Sequence, residues 1–230
     1  MIPSPARHLL APLLIAIVMS ACGGSAHPRS VVAPAQGDQM GEAAAIQRAK
    51  ADSLRYPYTE ADVHFMQGMI AHHAQAITMS GWAVSHGASP SIRTLASRII
   101  NAQKDEIVTM QTWLQDRNQT VPSATAAPMK MSMNGKEQEM LMPGMLTDAQ
   151  MHQLDEAKGE DFDRLFLTFM IQHHKGAVSM VQDLFNTYGA AQDELTFKYA
   201  SDVNVDQTTE IARMERMLAV MPSAGGTHTQ

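Results

Sequence analysis

The feature that most constrains this chain is an internal repeat. Residues 62–79 align with 163–180 at a shift of 101 residues. Asp62, Phe65, Met69, Ile70, His72, His73, Ala76 and Met79 return as Asp163, Phe166, Met170, Ile171, His173, His174, Ala177 and Met180. A second pair of segments aligns at a shift of 104, with Ala96, Gln103, Glu106, Ile107, Met110 and Leu114 matching Ala200, Gln207, Glu210, Ile211, Met214 and Leu218. Each repeat therefore holds two apolar-periodic segments. A lone helical hairpin cannot bury its apolar face, so two copies are expected to pack into one bundle with approximate twofold symmetry.

Start and stop signals delimit the helices. Thr59-Glu60-Ala61-Asp62 reads as a capping box, opening a helix over about 60–86 that ends at Gly87. Ser89-Pro90 opens a second over about 90–117, with Pro at the first helical position. Thr147 caps a short helix to about 158, and two further long helices are expected over about 160–188 and 191–220. No stretch alternates with period two long enough to suggest a sheet. The fold class is thus all-α: a ferritin-like four-helix bundle of two repeated hairpins over 58–221. Residues 118–146 form a long Met-rich linker that could cross the bundle, and 222–230 a disordered tail.

The N-terminus has a different character. Arg7 and His8 precede an apolar run from Leu9 to Val18, and Met19-Ser20-Ala21 places small residues before Cys22. This pattern resembles a lipoprotein signal over 1–21, with Cys22 as the lipidation site; the run is too short to span a bilayer comfortably. Residues 22–57 are expected to be a flexible tether with a short helix inside it. Cys22 is the single cysteine of the 230 residues, so no disulfide can form within the chain. The formal charge is −6, with no basic stripe, which argues against nucleic-acid partners. The expected setting is the bacterial cell envelope, with the membrane as a partner through the anchor. The sequence leaves the oligomeric state open.

Helical geometry gives the repeat a chemistry. At 100° per residue, Met69 and Ala76 fall near the middle of the first apolar face, with His72 and His73 on either side of that line. The third long helix repeats this with Met170, Ala177, His173 and His174. On the second helix Ala96, Gln103 and Met110 recur every seven residues with Ile99, Glu106 and Trp113 between them, which turns Glu106, and likewise Glu210, toward the core. Four imidazoles and up to four carboxylates, counting Asp62 and Asp163 on the same faces, either hydrogen-bond one another in the bundle core or hold a metal. Carboxylate-bridged iron bundles use Glu-x-x-His; here the equivalent spacing carries Met69-x-x-His72 and Met170-x-x-His173. Thioether with imidazole favours copper, with iron, manganese and zinc as alternatives. The candidate ligands are His72, His73, His173, His174, Met69, Met170, Glu106 and Glu210. Met129, Met131 and Met133 in the linker form a candidate secondary site. His64 has no counterpart, since Leu165 stands there, and reads as peripheral; His86 beside Gly87 reads as a helix C-terminal cation.

These motifs together resemble the bacterial domain of unknown function 305 family. The resemblance rests on Phe65-Met66-Gln67-Gly68-Met69-Ile70-Ala71-His72-His73, on Phe169-Met170-Ile171-Gln172-His173-His174-Lys175-Gly176-Ala177, on Met142-Pro143-Gly144-Met145-Leu146, on Phe162-Asp163-Arg164-Leu165-Phe166, and on Gln-x-x-Glu-Ile-x-x-Met in both partner helices. It covers about 58–220. The resemblance implies a ferritin-like bundle and an exported protein, with copper binding and tolerance among some members, and no established reaction. The expected function is a copper-binding or copper-buffering envelope protein. The alternatives are a metal-dependent redox enzyme of ferritin-like type, which the missing Glu-x-x-His argues against, and a structural or partner-binding lipoprotein without metal.

Overall fold

The structure, a computed structural model, describes Gly41, Ala44 and residues 58–126, 129–133 and 136–222, without the side chains of 129–139. The expected signal over 1–21, the lipidation site Cys22, most of the 22–57 tether and residues 223–230 lie outside the described residues. The described body holds five helices: α1 (Glu60–Gly81), α2 (Pro90–Asp116), α3 (Asp148–Glu156), α4 (Gly159–Asn186) and α5 (Glu194–Ala219). Among the described residues no helix is long and apolar enough to cross a membrane.

The caps follow the sequence closely. Thr59 and Asp62 form a reciprocal capping box at α1, as do Thr147 and Gln150 at α3. Pro90 occupies the first turn of α2, where a missing N–H leaves no bond broken. Gly87 and Gly189 adopt positive φ in the two hairpin turns, at +70° and +80°. α1 ends five residues earlier than expected, because the chain leaves the helix at Trp82 and continues as turns to Gly87.

The repeated aspartates lock the hairpins together. Ala191 N–H, in the α4–α5 turn, donates to Asp62 Oδ1 at 2.7 Å. Ser89 N–H, in the α1–α2 turn, donates to Asp163 at 3.1 Å. Each hairpin thus anchors the turn of the other from near the start of its leading helix, and the two contacts are related by the repeat.

The apolar core divides into two clusters. One takes Val63 to Ile70 of α1, Ile107 to Leu114 of α2, Ala177 to Leu184 of α4 and Tyr199 to Val203 of α5. The other takes Ala76 and Met79 of α1, Ile92 to Ile99 of α2, Phe162 to Ile171 of α4 and Met214 of α5. On every long helix a polar interval separates them: His72 and His73, Gln103 and Glu106, His173 and His174, Gln207 and Glu210. The duplication has built two apolar ends and a polar belt at mid-bundle.

The linker differs from its expected form. Met129–Met133 and Lys136–Met140 pair as an antiparallel ribbon, β1 and β2, with Met129 opposite Met140 and Met133 opposite Lys136. The sequence signal for it was present: Met-Lys-Met-Ser-Met alternates over five residues, and Asn134-Gly135 is a strong two-residue hairpin signal. The run lacks the β-branched and aromatic residues that mark a strand, so its alternation is weak beside the bundle pattern of the rest of the chain.

Candidate metal centre

All four repeated histidines are fully buried. On α1, His73 donates Nε2–H to Glu106 Oε2 of α2 at 2.5 Å. On α4, His174 donates Nε2–H to Glu210 Oε2 of α5 at 2.7 Å. A carboxylate accepts only, so Nε2 carries a proton in each ring, and Nδ1 is the nitrogen that would offer a lone pair to a metal. The neighbouring rings repeat as well: His72 and His73 have centroids 6.3 Å apart at 57°, and His173 and His174 6.2 Å apart at 54°. Across the pseudo-twofold axis, His72 and His173 face each other with centroids 3.7 Å apart.

The symmetry breaks at the segment 142–146, which forms a strap across α1 and α4. His72 donates Nε2–H to the Pro143 carbonyl at 3.0 Å. Gln75 of α1 grips Leu146 twice, accepting from its N–H at 2.7 Å and donating to its carbonyl at 3.0 Å. Gln172 of α4 donates to the Gly144 carbonyl at 3.3 Å. The strap lies so close to α4 that a Cβ on Gly176 would fall 1.9 Å from the Pro143 oxygen, and one on Gly144, whose φ is +77°, 2.7 Å from the Gln172 oxygen. Glycine is required at both places. His173, the partner of His72 in the repeat, receives no such contact.

Five imidazole nitrogens in this belt have no hydrogen-bond partner: Nδ1 of His72, His73 and His174, and both nitrogens of His173. Leaving a buried polar group unsatisfied costs about 1–3 kcal/mol. Such a cluster in duplicated register is a feature the apolar ends alone would not produce. The electrostatics keep two rings neutral. Burial, reinforced by the charge of His73, pushes His72 down to about 3. Burial first, and then the repulsion a protonated ring would meet from protonated His72, His174 and His73, holds His173 well below the ordinary histidine value. The hydroxyl of Tyr199, 3.5 Å from His73 Nε2, is held protonated by burial and by the charge of Glu106.

The expected ligands therefore divide into groups. His72, His73, His173 and His174 meet in one belt. Glu106 and Glu210 reach that belt but engage the outer nitrogens of His73 and His174. Met69 and Met170 are fully buried one helical turn before the histidines, on opposite apolar clusters. Met129, Met131 and Met133 lie on β1, with their side chains outside the described residues. Among the described residues, no three His, Cys, Asp or Glu side chains converge in a set able to hold a metal ion. Any metal in the belt would therefore draw on thioether donors or on few ligands. His86 is a tertiary clamp rather than a free helix-end cation: it bonds Asp155 of α3 at 2.7 and 2.9 Å and stacks on Trp82. The strap residues Pro143 and Gly144 and the helix residues that hold them, Gln75, Gln172 and Gly176, were not read as site residues in the sequence, although all but Gln75 lie in stretches that carry the family resemblance.

Two hairpins, one buried imidazole belt and carboxylates on the outer ring nitrogens define a duplicated helical bundle with a polar core. The chain belongs to the DUF305 family, described as a domain of unknown function, whose sequence pattern matches residues 62–218. The same bundle is found in a DUF305 candidate secreted protein from Streptomyces coelicolor, 30% identical, over 69% of this chain and 92% of that one, with a TM-score of 0.58. A DUF305 fragment from Deinococcus radiodurans is 28% identical, over 72% of this chain and 99% of its own, with a TM-score of 0.59. CopM in its Cu(II)-bound form is 29% identical, over 69% of this chain and 95% of its own, with a TM-score of 0.53, and CopM has also been solved with Cu(I) and with silver. Uncharacterized protein L153 of Acanthamoeba polyphaga mimivirus is 45% identical over 56 residues; the match spans 37% of the viral protein.

Proposed function

We propose that this chain is an exported, lipid-anchored protein of the bacterial cell envelope that binds and buffers copper in its bundle core. The observation that carries this reading is the set of buried imidazole nitrogens without partners, three of them opposite a nitrogen already held by a carboxylate or a strap carbonyl. Metal-bound histidines are commonly arranged this way, with the far N–H donated to a carboxylate or carbonyl that fixes the tautomer and raises ligand basicity. The ligands would be drawn from His72, His73 and His174 through Nδ1 and from His173 through either nitrogen, no more than two of them at any one ion. Met69 and Met170 would assist through their thioethers, and Glu106 and Glu210 would orient the rings rather than ligate.

The choice of copper follows from the donor set. Imidazole with thioether, and no cluster of carboxylates, suits a soft ion, Cu(I) above all. The existence of copper- and silver-bound CopM structures with this fold supports it. Export and anchoring rest on the signal-like residues 1–21 and on Cys22, with support from the candidate secreted protein of Streptomyces coelicolor. Met129, Met131 and Met133 would collect copper ahead of the core.

Anaerobic Cu(I) titration against a competing chelator tests this. The parent chain should hold copper tightly, and the variant with alanine at His72, His73, His173 and His174 should lose the tight equivalents while circular dichroism shows the helices retained. Unchanged stoichiometry and affinity in that variant would refute the reading. Metal should also stabilise the native chain, by about 4 kcal/mol at a free concentration ~1,000-fold above Kd.

A further inference from the structure

A second group of soft donors lies outside the belt. A cavity of about 340 Å³ is lined by His64 and Phe65 of α1, Met180 and Asp183 of α4, and Met140 and Met142 from the end of the ribbon and the strap. None of the four belt histidines lines it. Three thioethers and one imidazole thus reach a single cavity from separate elements, beside a carboxylate.

We propose that this cavity is a separate binding site for a soft monovalent cation, Cu(I) or Ag(I), held by His64 with the thioethers of Met140, Met142 and Met180. Soft thioether donors select such ions over harder divalent ones. His64 departs from the repeat, which has leucine at the equivalent position, so the bundle does not require an imidazole there. The ring makes no hydrogen bond with any described residue, and burial lowers its pKa, which leaves it a neutral ligand at physiological pH. Met140 is 39% exposed, whereas Met142 and Met180 are buried, so the donors run from solvent to the interior. Asp183 adds negative charge at an exposed position. Pro143, whose carbonyl holds His72, also lines the cavity, and this places the site against the strap that covers the belt.

The site is distinguishable from the core by its own variant. Ag(I) is a redox-inert probe for both. In native mass spectrometry of the full chain, the quadruple variant His64→Leu, Met140→Leu, Met142→Leu, Met180→Leu should bind one Ag(I) fewer than the parent. Leucine conserves volume at the methionines and matches the repeat at position 64, so the fold should survive. The variant with alanine at the four belt histidines should keep that equivalent. As a second readout in the unaltered chain, the ε-methyl resonances of Met140, Met142 and Met180 should move together during one Ag(I) equivalent. Loss of that equivalent only in the belt variant, or methyl resonances that stay fixed to saturation, would overturn the proposal. If the core reading fails instead, the belt variant would bind as the parent does while the cavity variant still loses its ion.

Discussion

His73 and His174 each donate Nε2–H outward to a carboxylate and keep an inner Nδ1 without a partner. If the carboxylates orient the rings, removing one should weaken metal binding without removing a ligand. Glu106→Ala is expected to lower Cu(I) affinity by about 10–100-fold, with Glu106→Gln falling less because its amide oxygen still accepts from Nε2–H. Competition titration measures both. The rings also set an acid limit on the metal-free fold. His72 and His173 titrate near 6.5 when unfolded and lower when folded, His72 at about 3. Above pH 6.5 neither state binds a proton and the pair contributes nothing to the pH dependence. As pH falls below 6.5 the unfolded chain takes up protons that the native chain refuses, so stability drops, by about 1.4 kcal/mol per pH unit for each ring. The two together should remove about 4 kcal/mol by pH 5, measured by urea unfolding of metal-free protein at pH 7.5, 6 and 5. A stability that stays level over this range would show that the rings are solvated or charged in the native state.

At the scale of elements, the strap is the part that makes two equivalent hairpins unequal. It holds His72 and leaves His173, and its path depends on Gly144 and Gly176. Gly176→Ala should be unfavourable although alanine is the better helix former. The gain in helix propensity is about 1 kcal/mol, whereas the new methyl would meet the Pro143 carbonyl and force the strap away. Net destabilisation of about 1–3 kcal/mol is expected, as for other overpacked sites, together with faster amide exchange at Met145 and Leu146. A more stable Gly176→Ala variant would mean that the strap is not pressed onto α4. A second tie at this scale joins α2 to the α5 cap. Arg117 pairs with buried Asp193 at 2.6 Å and stacks over Trp113. Burial alone would raise the Asp193 carboxyl, but hydrogen bonds from Trp113, Thr196 and Arg117, with the guanidinium charge, hold it below its ordinary value.

For the whole molecule, most of the bundle was legible because the duplication repeats its main signals. Hairpin glycines and heptad-like spacing each occur twice, and the agreement of two copies fixes the face that each helix buries. The histidine belt was legible for the same reason, as was the inward turn of Glu106 and Glu210. What the sequence could not show is whatever the second copy lacks. The strap and the cavity at His64 depend on residues without repeat counterparts: Pro143, Gly144, Met140 and His64 itself. Their placement follows from long-range packing of a connection against finished helices, which no local period encodes. Helical geometry likewise put Met69 and Met170 on the histidine face but could not say that each belongs to a different apolar cluster.

The central claim is that the inner imidazole nitrogens of the belt take the metal while the outer ones stay with their carboxylates. Nitrogen-15 spectra of the histidine rings, recorded without metal and with stoichiometric Cu(I), test it atom by atom. The expected result is that Nε2 of His73 and His174 remains protonated throughout while their Nδ1 resonances move from the lone-pair position to the metal-bound one. Nδ1 resonances that do not move while copper binds would contradict it.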